Sequence, residues 1–121
     1  MTKKIDLVFI EHILESINSI KDFSKNMNKE ELFSNRLKQS AIVREIEIIG
    51  EAVKNISESL KIKYKQVEWK NIASTRDKMI HNYFGIDLNI IWNIIKEDIP
   101  ILEKQIKKIK EKVIKEETRK L

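Results

Sequence analysis

Six apolar residues, Ile42, Ile46, Ile49, Val53, Ile56 and Leu60, follow one another at gaps of 4, 3, 4, 3 and 4. That spacing is a heptad seam, the pattern of a helix that packs lengthwise against near-antiparallel neighbours in a bundle. It predicts a long helix over about residues 35–60. Gly50 lies inside this helix, beside Glu51 and Ala52. An interior glycine costs about 1 kcal/mol relative to alanine, so its presence points to close approach of another backbone.

The rest of the chain repeats the helical theme. Ile5, Val8, Phe9, His12, Ile13, Ile17 and Ile20 recur at spacings of three and four and predict a first helix over about residues 3–23. A polar break follows, in which Asn28 and Glu31 resemble a cap pairing for a short turn through Leu32 and Phe33. Residues 61–68 are the least periodic and read as a connection. A third helix is expected from about Val67–Trp69 onward, carrying Ile72, Arg76, Met79, Ile80 and Tyr83 and stopping at Phe84–Gly85. Asp87 can cap a last helix holding Leu88, Ile91, Trp92, Ile95, Ile99 and Leu102. Pro100 sits inside that pattern, so a kink or a restart with Asp98 as the new cap is expected there. Only 2 Gly and 1 Pro occur in 121 residues, too few for turn-rich β architecture. The expectation is a single all-α domain over residues 1–121, an up-and-down bundle of four to five helices.

Composition narrows the chemistry. There is no Cys, which removes disulfides, thiolate metal sites and a thiol nucleophile. The first residues lack the apolar core of a signal peptide, and no run of about 18 apolar residues suggests a membrane span. The expected compartment is therefore the cytoplasm. The net charge of +5 is compatible with a polyanionic partner without requiring one, because Glu103, Glu111, Glu116 and Glu117 dilute the lysines of the C-terminal stretch.

One dense polar cluster interrupts the apolar pattern: Arg76-Asp77-Lys78-Met79-Ile80-His81-Asn82-Tyr83. An arginine grips phosphate oxygens in a fork, a histidine exchanges protons near neutrality, and a tyrosine donates a hydrogen bond. Arg76 and Tyr83, seven residues apart, share nearly one helix face. Arg76 and His81 are five apart, roughly 140° around a regular helix, so they meet only across a groove or where the helix loosens. Asp77 precedes His81 by four residues, where its carboxylate can orient the imidazole. The same three polar residues also suit a purely structural role, as a salt bridge, a cap and a packed ring.

The cluster resembles the Arg-x4-His-x-Tyr motif of HEPN domains, and specifically of HepT-like proteins. Ile48-Ile49-Gly50-Glu51-Ala52, Trp69 seven residues before Arg76, and the run from Tyr83 through Asp87, Trp92 and Pro100 resemble further family stretches in the same order. Asn82 stands where the family often has glycine. The resemblance implies a homodimeric, metal-independent ribonuclease toxin of a type VII-like toxin–antitoxin system, with no cofactor. Arg76 and His81 would be catalytic, Asp77 and Asn82 supporting, and Tyr83 would contact RNA. It further implies a nucleotidyltransferase antitoxin that transfers AMP to Tyr83, with higher assembly of the two proteins possible. With His12 read as structural, a second copy of His81 across a twofold axis supplies the second proton carrier. Two other readings stay open: a non-cleaving RNA- or nucleotide-binding partner of a nucleotidyltransferase, and a structural dimerisation bundle.

Overall fold

The computed structural model describes residues 2–79 and 85–119, and these residues are overwhelmingly helical. The order is α1 (Thr2–Ser24), α2 (Lys29–Ser34), α3 (Arg36–Lys54), α4 (Glu58–Lys63), α5 (Trp69–Ala73), α6 (Thr75–Met79), α7 (Leu88–Asn93), a π-helical turn (Ile94–Asp98) and α8 (Ile99–Arg119). None of the described helices is long and apolar enough to cross a membrane.

α1 is the central helix, packed on both α3 and α8. Its direction is fixed at both ends by polar contacts. Near its start, buried Asp6 accepts hydrogen bonds from the Ser57 backbone N–H at 2.8 Å and the Ser57 hydroxyl at 2.6 Å, just past the end of α3. Near its end, Lys21 donates to both carboxylate oxygens of Glu103 at 3.1 and 3.2 Å, and Lys110 pairs with Glu11 at 2.6 Å. Both neighbours therefore run antiparallel to α1. The heptad seam of α3 is buried along its full length, as are Ile91, Ile95, Ile99, Leu102, Ile106, Ile109 and Val113 in the last helices.

Several expected boundaries move, each for a local reason. The seam helix stops at Lys54 instead of reaching residue 60. Asn55 turns its side-chain amide onto the Glu51 carbonyl, and Ser57 caps a new helix by accepting from the Leu60 N–H. Consequently residues 61–68 are not a bare connection: α4 extends to Lys63, and Tyr64 and Val67 are buried. The third helix is broken at Ser74, where the Ser74 and Thr75 hydroxyls bond back to the Lys70 and Asn71 carbonyls. At Pro100 the helix neither restarts nor takes a cap from Asp98. It passes through a π turn in which the Ile99 N–H reaches the Ile94 carbonyl. Widening the turn accommodates a residue that lacks an N–H and whose ring crowds the carbonyl four residues back. The expected caps at Asn28 and Asp87 are present, accepting from Glu31 N–H and from Asn89 and Ile90 N–H. Gly85 has φ +90°, the left-handed conformation expected of a stop glycine; residues 80–84, where the third helix was expected to end, lie outside the described residues.

The apolar face expected on α1 is displaced. Ile10, Ile13, Leu14, Ile17 and Ile20 enter the core, whereas Ile5 and Val8 keep about half of their surface in solvent, at 55% and 50%. At about 100° per residue, Ile5, Val8 and His12 lie roughly 100° or more around the axis from buried Asp6. They form a flanking stripe of their own.

Two outcomes test this account. Asp6→Ala leaves the Ser57 N–H and hydroxyl without their acceptor, and unfolding in urea should show a loss of about 1–3 kcal/mol. For Glu103, burial alone would raise the carboxyl, but the hydrogen bond and charge of Lys21, joined by Lys107, outweigh it and hold the pKa below its usual value. A carboxyl lowered in the folded state contributes stability above its unfolded pKa and loses it as pH falls through the folded one. Glu103→Gln should therefore cost up to about 1 kcal/mol at neutral pH, with the difference from wild type shrinking as acid titrates the carboxylate.

Candidate active site

The site is built where another backbone packs directly against a helix. A Cβ placed on Gly50 would lie 3.4 Å from the Ile72 carbonyl oxygen and 3.6 Å from that of Ala73. This is the close approach that the interior glycine announced. It seats α5 on the C-terminal part of α3, and beyond the break at Ser74 α6 packs on the same helix.

Arg76 is carried on α6 to a point opposite Glu47. Its Nε donates to Glu47 Oε2 at 2.7 Å, while the arginine side chain stays 65% exposed. The bond uses the inner edge of the guanidinium, and the outer NH2 groups are the part best placed to fork onto an anion. Glu47 is itself mostly covered, so the arginine is pinned at its base rather than swinging free.

A cleft of about 440 Å³ opens beside this pair, between α1, α3 and the α5–α6 corner. Its walls include His12 from α1, Arg44, Glu47 and Glu51 from α3, and Arg76. Phe9 and the Ala52 and Ala73 side chains contribute apolar lining. Asp77, next to Arg76 in the first turn of α6, is exposed. The chain re-enters close by, because the Asp87 N–H donates to the Met79 carbonyl at 2.7 Å, bringing the end of α6 beside the start of α7.

Of the residues singled out from sequence, Arg76 and Asp77 stand at this corner. His81, Asn82 and Tyr83 lie outside the described residues. His12, read from sequence as structural on the apolar side of α1, is exposed on the cleft wall, its ring and that of Phe9 meeting edge-to-face at 5.8 Å and 89°. The sequence reading also missed Arg44 and Glu47. A signal for Glu47 was available, since it lies three residues before Gly50 and so shares the helix face on which another backbone was expected.

Residues 13–109 match the family model described as Ribonuclease HepT-like. A Methanocaldococcus jannaschii protein named "Putative RNase" is 44% identical over 109 residues, covering 90% of each chain. Another from the same organism, named "Gamma-glutamylcyclotransferase and putative RNase", is 41% identical over 93% of this chain, which spans only 51% of that relative's length. The "Probable ribonuclease HepT" of Thermococcus cleftensis is 38% identical over 84% of this chain and 93% of its own. No solved structure matches the chain. The match covers most of the sequence and includes the corner that carries Arg76, so the chain belongs to the HepT-like ribonuclease family.

Proposed function

We propose that this protein is a ribonuclease toxin that cleaves RNA without a metal ion, through Arg76 and His81 at a site completed by dimerisation. The observation that carries the reading is Arg76 itself. In a chain of this family, the motif arginine stands at the rim of an open cleft, fixed through Nε to Glu47 with its outer edge toward solvent.

The chemistry follows from the groups. The ribose 2′-hydroxyl gives its proton to a base while its oxygen bonds to phosphorus. The bond from phosphorus to the 5′-oxygen breaks, and that oxygen takes a proton from an acid. The products are a 2′,3′-cyclic phosphate and a 5′-hydroxyl. His81 serves as one proton carrier, because an imidazole can both take and give a proton. A second copy of His81 across a twofold axis serves as the other. Arg76 faces the negative charge that builds on the phosphorane oxygens and stabilises it more than it stabilises the ground state. Asp77 and Asn82 orient the pair.

The exposed stripe on α1 supports a dimer. Ile5 and Val8 lie three residues apart on α1 and keep about half of their surface in solvent, on the flank that leads toward Phe9 and His12, and an apolar stripe of this kind suits a partner helix. In this reading a second copy docks there and the two motif arginines share a common groove. Regulation follows from Tyr83. AMP transferred to it by a nucleotidyltransferase antitoxin adds a phosphate and a nucleoside beside Arg76, which blocks RNA by charge and bulk.

Three outcomes are expected. Purified protein should cleave single-stranded RNA in the presence of EDTA, and His81→Ala should reduce the rate by at least about 100-fold with thermal unfolding unchanged. Intact RNA with a folded wild type would favour a non-cleaving partner of a nucleotidyltransferase instead. Replacing both Ile5 and Val8 by Glu should convert the dimer to monomer in light scattering and abolish cleavage together with it. Incubation with a nucleotidyltransferase antitoxin and ATP should add AMP to wild type but not to Tyr83→Phe, as read by mass spectrometry.

A further inference from the structure

The charges around the cleft do not cancel evenly. Glu47 is engaged by Arg76 at 2.7 Å, and Glu51 by Lys54 at 3.3 Å. Arg44, on the same wall, has no carboxylate partner among the described residues, and its side chain is exposed. An unpaired guanidinium at the edge of a cleft is a ready phosphate ligand. Across from it, Phe9 meets His12 in an edge-to-face contact, which props the imidazole without covering both of its faces. Between them lies a volume of about 440 Å³ with an apolar lining, on the scale of pockets that hold small ligands.

We propose that this cleft is a subsite for one nucleotide of single-stranded RNA next to the bond that is cut. Arg44 binds its phosphate and His12, backed by Phe9, stacks on its base. The assignment rests on the ribonuclease reading above and adds to it two substrate-contacting residues outside the motif. It gives the two arginines of the cleft different tasks, Lys54 being taken up by Glu51. Arg76 serves the reacting phosphate, and Arg44 holds the neighbouring one and so sets the strand's register. Glu47 keeps them apart in function by occupying the inner edge of Arg76. The contacts are to phosphate and to a base face, so the subsite favours unpaired RNA over duplex while discriminating weakly among bases.

The test separates binding from cleavage. In a His81→Ala background, fluorescence anisotropy with a labelled single-stranded RNA of about ten nucleotides reads binding alone, at several salt concentrations. Arg44→Ala should weaken binding about tenfold and flatten the salt dependence by roughly one phosphate contact. His12→Ala should weaken it about fivefold or more, while His12→Phe, which keeps a stacking face, should restore it. Both residues are exposed, and circular dichroism of each variant should match the parent. Binding by the parent that is unchanged within about twofold in Arg44→Ala and His12→Ala overturns the subsite and leaves the ribonuclease reading standing. A folded parent that binds no RNA overturns both.

Discussion

The closest backbone approach that the glycines of this molecule permit, the Ile72 and Ala73 carbonyls against Gly50, is the contact on which the site depends. The separation of 3.4 Å from a notional Cβ is ordinary van der Waals contact, so an alanine is admissible, while atoms added beyond it toward α5 would meet the carbonyls. A branched side chain would have to push α5 outward, and α5 carries the corner from which α6 and Arg76 depart. Moving that corner by even an ångström or so would break a 2.7 Å hydrogen bond to Glu47. Helix packing and site geometry are therefore one constraint, set by the small size of the residue at position 50.

The second device is the broken helix. Continuous helix from Trp69 onward would keep Arg76 in the register of the preceding turns. The adjacent hydroxyls of Ser74 and Thr75 instead satisfy the carbonyls of Lys70 and Asn71, and the helix stops and resumes. A similar competition ends α3, where Asn55 and Ser57 draw the chain out of the helix and the part-buried Ser57 N–H donates to Asp6. In both cases short polar side chains divide a long amphipathic run into two helices. Apolar periodicity continues across each break, since Ile56 and Leu60 stay buried beyond the end of α3.

That persistence explains what the sequence made legible. The seam of α3, the stripe of α8, the caps at Asn28 and Asp87 and the tight contact at Gly50 are all encoded in spacing or in a single residue type. The breaks were not legible, because periodicity reports which residues share a core and not whether the backbone between them is continuous. The π turn before Pro100 was half legible: proline requires a change in the ladder but does not specify which. Half of the candidate site was legible in the same sense. The motif named Arg76 and Asp77, while Arg44 and Glu47 look like ordinary exposed charges on α3 until the Gly50 face is known to be covered.

The misplacement of His12 has the most consequence for mechanism. Ile5, Val8, Phe9 and His12 recur at helical spacing, and spacing alone merges them with the core stripe of Ile13, Ile17 and Ile20. Burial separates the two, because the core arc of α1 is centred on Asp6, Ile10, Ile13 and Ile17. The flanking stripe then serves a different surface, apolar at Ile5 and Val8 and polar at His12, and it runs up to the cleft that holds Arg76. A helix that is amphipathic toward its own core and again toward a neighbouring surface joins fold to assembly. In the proposed dimer, the half-exposed Ile5 and Val8 that would pack on a second copy lie on the same flank of α1 as His12 at the cleft, which would tie assembly to substrate binding.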